Sequence, residues 1–95
     1  MRIYVESLGL PTLSAVIGKK AEMDFDGVSV ADLIANITQR FGPKARQALL
    51  DSNGELDLTI QVMVNDQGFI QREKLADHVL EAGDRVKLML LVGGG

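Results

Sequence analysis

Few residues of this chain are of a type that does chemistry, and most of those fail on spacing. His78 is the single histidine and there is no cysteine, which excludes a conventional zinc site and a cysteine nucleophile together. As a general base His78 would need an orienting acid. Its candidates, Asp77 and Glu81, recommend themselves only as sequence neighbours, so His78 reads as a surface or linker residue. From Gly9 to Lys19 the spacing is wrong for a phosphate-cradling loop, and Lys20 stands where a magnesium-holding Ser or Thr belongs. Asp51, Asn53 and Glu55 begin like a calcium loop, but Gly54 is out of place and Val62 falls where the bidentate acid should be. Asn36-Ile37-Thr38 is a formal glycosylation sequon inside a helical pattern. Glu22, Asp24 and Asp26 alternate as they would on the solvated face of an edge strand, where charge discourages further pairing.

The end of the chain is different. Gly93-Gly94-Gly95 follow an apolar strand pattern, and although a glycine triplet can be an idle terminus, a strand gains nothing from three residues with such a high ordering entropy. Extended, the triplet spans about 10 Å, enough to thread a slot too narrow for any side chain. The expectation is that Gly95 presents the chain's terminal carboxylate on that arm. With a free pKa of about 3.3 to 3.7 such a group is ionised and inert at neutral pH until its oxygen becomes a leaving group.

Other classes of function recede on composition. Ninety-five residues make one domain. At 46% hydrophobic and 24% charged the chain is suited to a packed globule. Aromatic residues are 4% with no Trp, too few for a base-stacking platform, and ten basic against thirteen acidic residues give a net charge of -3, unfavourable for phosphate backbone. The N-terminal stretch Met1 to Glu6 alternates apolar and polar residues and lacks a signal-peptide core. No run approaches the roughly 20 apolar residues of a membrane span, so the cytoplasm is the expected compartment.

The elements that position the tail follow from periodicity and punctuation. Residues 2 to 8 alternate as a strand that Gly9-Leu10-Pro11-Thr12 breaks, and residues 19 to 25 form a second strand ended by Asp26-Gly27. Ser29 with Asp32 three residues on resembles a capping box, and Val30, Leu33, Ile34, Ile37 and Phe41 draw one apolar stripe along the helix that follows. Gly42-Pro43 stops it, and a shorter helix runs from about Pro43 to Leu50. A strand is expected from Leu58 to Asn65, a turn through Gly68, a short strand at Phe69-Ile70, one helical turn or an irregular link over 73 to 80, and a last strand from Arg85 to Val92. This layout predicts an α+β fold, in its compact form a β-grasp: a mixed sheet with one main helix on one face, the first and last strands adjacent in the middle. The domain is 1–92 and the flexible glycine tail 93–95.

With Ile3, Val5, Val62, Val64, Val86, Leu88 and Leu90 facing the helix, the pleat puts Tyr4, Met63, Met89 and Leu91 on the opposite face. That face is expected to be an apolar, exposed docking surface bordered by Arg2, Arg85 and Lys87, whose charges would steer an acidic partner.

The sequence resembles the small sulfur carriers, a ubiquitin-like β-grasp family that includes the small subunit of molybdopterin synthase and the thiamine-pathway sulfur carrier. The resemblance is carried by Ser29 to Ile34, Leu49 to Leu56, Val62-Met63-Val64-Asn65, Ala82-Gly83-Asp84-Arg85-Val86 and the terminal Gly94-Gly95. It implies that an E1-like partner adenylates the Gly95 carboxylate with Mg-ATP. Conversion to a thiocarboxylate follows, and this donates sulfur to a synthase. The chain itself would be a co-substrate, holding no cofactor or metal. Three terminal glycines look more like thiamine-type carriers, whereas the segment from Phe41 to Leu58 looks more like the longer molybdopterin type. Two other readings stay open: a protein modifier joined through Gly95 to a lysine, and a β-grasp binding module with an idle tail.

Three glycines make no side-chain contacts to offset their ordering entropy. Fast backbone motion by NMR relaxation is therefore expected at residues 93 to 95, and a tail held rigidly against its own domain would contradict this.

Overall fold

The computed structural model of the protein describes residues 1–90. The expected boundary between a 1–92 domain and a 93–95 tail lies outside the described residues, as do Leu91 and Val92. In chain order the elements are β1 (Arg2–Leu8), α1 (Pro11–Ile17), β2 (Lys20–Asp24), α2 (Val30–Phe41), α3 (Pro43–Leu49), β3 (Ile60–Val64), β4 (Phe69–Ile70), a 3₁₀ turn (Arg72–Lys74) and β5 (Arg85–Leu90). The strands form one mixed sheet in the order β2-β1-β5-β3-β4. β1 and β5 run parallel at its centre, and every other pair is antiparallel. This is the β-grasp arrangement, with three helices rather than two.

Alternation decides which face is covered. Ile3 and Val5 of β1, Met23 of β2, Ile60, Val62 and Val64 of β3, and Val86 and Leu88 of β5 are buried, together with Leu13 of α1, Val30, Leu33, Ile34 and Ile37 of α2, and Ala45 and Leu49 of α3. Each large side chain contributes about 1.5–3 kcal/mol on full burial, so a one-residue slip would turn a whole row to water. Leu90 departs from the expectation. It shares the parity of Val86 and Leu88 but is 37% exposed, at the last described position of β5 opposite Ile60.

α1 is the element absent from the sequence reading. Gly9-Leu10-Pro11-Thr12 ends β1 as expected, but Pro11 also opens a seven-residue helix at the position where its missing N–H costs nothing. The helix is held by fully buried Leu13 and by Ser14, whose Oγ lies 2.6 Å from the Oγ of buried Ser7 on the inner side of β1.

The start of α2 shows where each orphan amide of a helix goes. Ser29 Oγ accepts from the Asp32 N–H at 3.2 Å, and Asp32 Oδ2 accepts from the Ser29 and Val28 N–H groups at 3.1 and 3.0 Å, completing the capping box. The remaining amides reach into the segment before β5: Val30 N–H donates to the His78 carbonyl and Ala31 N–H to the Leu75 carbonyl. Residues 72–80 are thus ordered by the helix they cap. Hydrogen bonds from the Ser29 and Val28 amides also hold the Asp32 carboxyl below its ordinary pKa.

A second knot joins two distant sequence motifs. The Asn65 side chain donates to Asp84 Oδ1 at 2.8 Å and accepts the Arg85 N–H at 2.9 Å, while the Asp84 carbonyl accepts the Tyr4 N–H at 3.0 Å. The end of β3 and the starts of β1 and β5 are thereby pinned together, and Asn65 adopts a positive φ of 54° that asparagine tolerates well.

Between β2 and α2 the chain passes at close range over the buried Phe25 ring. A Cβ on Gly27 would sit 2.5 Å from Phe25 Cζ and 2.8 Å from Asp32 Cβ. Since neither neighbour is free to move, Gly27→Ala is expected to destabilise the fold by about 1–3 kcal/mol in urea unfolding. An unchanged midpoint would show that the ring has room the structure denies it.

Candidate functional site

The site is built around the end of β5. Central pairing carries this strand between the end of β1 and the start of β3, with Met89 beside Leu8 and Leu90 beside Ile60. Residues 91–95 continue from that point, and Leu91, Gly93, Gly94 and Gly95, the expected reactive and tail residues, lie outside the described residues. Gly9 makes room at the base of the tail. Its φ is +70°, and a Cβ there would stand 3.3 Å from Leu90 Cβ. Leu8, Leu58 and Leu90 are exposed around this exit, Leu58 to 74%. The apolar rim was missed in the sequence, although Leu8 has the parity of Tyr4 in β1.

The outer face of the sheet brings Tyr4, Met63 and Met89 onto the side away from the helices. Tyr4 is exposed and the two methionines are half-buried. Pairing extends this surface, since Met63 faces the 48% exposed Phe69 across β3 and β4, and Met89 faces Leu8 across β5 and β1. Phe69 was not foreseen as part of it. The patch is divided by a polar row, because Lys87 lies between Glu6 on β1 and Met63 on β3.

The bordering cations are not free. Lys87 Nζ meets Asp66 Oδ1 at 2.6 Å, Arg85 Nη2 lies 3.7 Å from Asp66 Oδ2, and Arg2 pairs with Glu22 at 2.7 Å and Asp24 at 3.5 Å. The Lys87 hydrogen bond holds the Asp66 carboxyl below its ordinary pKa, and Asp66 in turn raises that of Lys87. These pairs are largely solvated and add little stability. Their effect is on the field of the face, where one acid on the turn after β3 offsets two cations of β5.

The other chemical candidates are accounted for locally. His78 is half-buried and takes part through its backbone carbonyl. Asp51 Oδ1 accepts the Asn53 and Glu55 amides at 2.8 and 3.1 Å, making a turn. Among the described residues no group of three or more His, Cys, Asp or Glu side chains is placed to hold a metal ion. No helix among them is long and apolar enough to cross a membrane.

A family model described as the ThiS family matches residues 12–95. No curated protein matches the sequence. Among solved structures, SAMP1 from Haloferax volcanii is similar over 100% of both chains, with 24% identity and a TM-score of 0.76. Urm1 from Trypanosoma brucei is similar over 99% of this chain and 95% of its own, at 24% identity and a TM-score of 0.67. A chain of the Amycolatopsis orientalis BexX/CysO complex is similar over 98% and 99%, at 20% identity and a TM-score of 0.70. At these identities the structures show a shared ubiquitin-like fold.

The Asp66 pairing has a pH signature. A carboxyl held below its ordinary value of 3.8 keeps its pairs intact above that value and loses them as pH falls through its own lower midpoint. NMR titration is expected to place Asp66 below 3.8, and Lys87→Met should move the midpoint up. A midpoint indifferent to that substitution would remove the pair.

Proposed function

The chain belongs to the ThiS family of small ubiquitin-like sulfur carriers, and from that membership we propose that it works as a sulfur carrier whose reactive group is the Gly95 carboxylate. An E1-like enzyme using Mg-ATP would activate it: a carboxylate oxygen attacks the α-phosphorus, pyrophosphate leaves, and the acyl-adenylate now has AMP as leaving group. A sulfur nucleophile from outside the chain displaces AMP at the carbonyl carbon and leaves a thiocarboxylate. This would pass its sulfur to a synthase of molybdopterin-type or thiamine-type cofactor assembly, in the cytoplasm. The absence of cysteine is consistent with sulfur supplied by a partner. The chain contributes no acid, base or metal in this reading; it is a co-substrate.

The observation that carries the proposal is the central position of β5 in a family match that runs through residue 95. A strand paired on both sides is a rigid base for an arm that must enter another protein's active site. Gly93 and Gly94 would let the backbone pass a narrow channel, and the outer face would dock the activating enzyme. Tyr4, Met63 and Met89 supply apolar, adaptable contact, Leu91 would extend it, and Arg85 and Lys87 give the charged register. The A. orientalis complex of BexX with CysO is consistent with a partner enzyme for such a carrier. Because Asp66 already answers Arg85 and Lys87, recognition rests on apolar contact more than on long-range attraction.

A second reading has its own support. SAMP1 is a small archaeal modifier protein, and the same activated carboxylate could form an isopeptide bond with a lysine of a target.

ATP-pyrophosphate exchange with the cognate activating enzyme separates the tail from the rest. Gly94→Val and deletion of Gly95 are expected to abolish exchange, while His78→Ala leaves it unchanged. Normal exchange in the first two variants would sink both carboxylate readings. Met89→Asp is expected to keep the circular dichroism spectrum and lose binding to the activating enzyme; retained binding would move the docking surface elsewhere.

A further inference from the structure

On the helical side of the molecule, away from the outer face of the sheet, α2, the 50–56 loop and the 3₁₀ turn enclose a groove of about 530 Å³. Its floor is Ala31 and Ala35, small residues on successive turns of α2, and its walls include Leu50, Leu56 and Leu75. Arg72 also lines it, and Arg72 Nη1 is shielded from solvent with no hydrogen-bond partner. The nearby Asp57 feels this charge, but among the described residues no ion pair joins the two, and Asp57 Oδ1 is occupied by the Thr59 amide and hydroxyl at 2.9 and 2.6 Å. A guanidinium N–H withheld from water without an acceptor costs folding free energy. Keeping one in an apolar groove of ligand-binding size is explained by an acceptor that arrives from outside.

The charge pattern selects the occupant. Glu55 and Glu73 stand exposed on the lining beside the buried Arg72 nitrogen. A simple fatty carboxylate would satisfy the arginine and be repelled by both acids, whereas a peptide with one acidic residue between aliphatic side chains, flanked by lysine or arginine, satisfies all three. We propose that this groove is a second docking site, taking an aliphatic segment of a partner protein that inserts a carboxylate against Arg72. The site is independent of the tail's chemistry and would leave the outer face and residues 91–95 open to another protein.

The full chain, ¹⁵N-labelled, is titrated with the probe peptide acetyl-Lys-Leu-Glu-Leu-Lys-amide. The expected result is shifts confined to the amides around Ala31, Ala35, Gly54 and Ala76. The same peptide with glutamine replacing glutamate should bind about tenfold more weakly or worse. Arg72→Met should show the same loss while being no less stable in urea, because it removes an unpaired donor. Ala35→Leu, which fills the floor without touching Arg72, should also block binding. Equal binding of the glutamine peptide, or octanoate shifting the groove as strongly as the peptide, would overturn the proposal. So would a marked loss of stability in Arg72→Met, since it would show that the arginine already has a partner within the fold.

Discussion

A parallel pair of strands cannot be closed by a tight turn, so the pairing of the first strand with the last forces everything between them to travel away from the centre and return. β2 takes the outer flank of β1, α2 and α3 cross the inner face, and β3 and β4 fill the flank of β5. The pairing also fixes direction. β5 leaves the sheet where β1 ends and β3 begins, so Leu8, Gly9 and Leu58 come to surround the base of the tail. The knot of Asn65, Asp84 and the Tyr4 amide sits at the other end of the same strands and holds the starts of β1 and β5 level.

What could be read in the sequence was what local physics decides. The strand alternation of β1, β3 and β5, the Ser29–Asp32 cap and the apolar stripe of α2 each stand on neighbours within one or two turns. The same alternation located Tyr4, Met63 and Met89 on the outer face. α1 escaped because seven residues after Gly9-Leu10-Pro11 give too short a window for a helical period, and its support comes from Ser7 and α3, neither of them local. β3 begins at Ile60, not Leu58, because Asp57 draws Thr59 into a turn. The link over 73 to 80 had no readable structure since its order is lent by the amides of α2.

The site was legible in outline and not in its electrostatics. Arg85 and Lys87 could be placed beside the apolar patch from parity alone. That Asp66 would answer both depends on the positive φ values of Asn65 and Asp66 in the turn after β3, which place a carboxylate over the next strand but one from its own ladder partner. The consequence for recognition is a face with modest net charge, whose selectivity comes from shape and apolar contact. Carrier and modifier chemistry share this surface and the same activated Gly95, and diverge only in which nucleophile displaces AMP.

The most direct test of the account is therefore the intact mass of the whole protein after incubation with its activating enzyme, Mg-ATP and a sulfur donor. The expected result is a mass increase equal to one oxygen replaced by one sulfur, located by fragmentation at Gly95 and dependent on ATP. An unchanged mass under conditions where the enzyme activates ATP, or sulfur found on any other residue, would contradict a carboxylate-borne sulfur carrier.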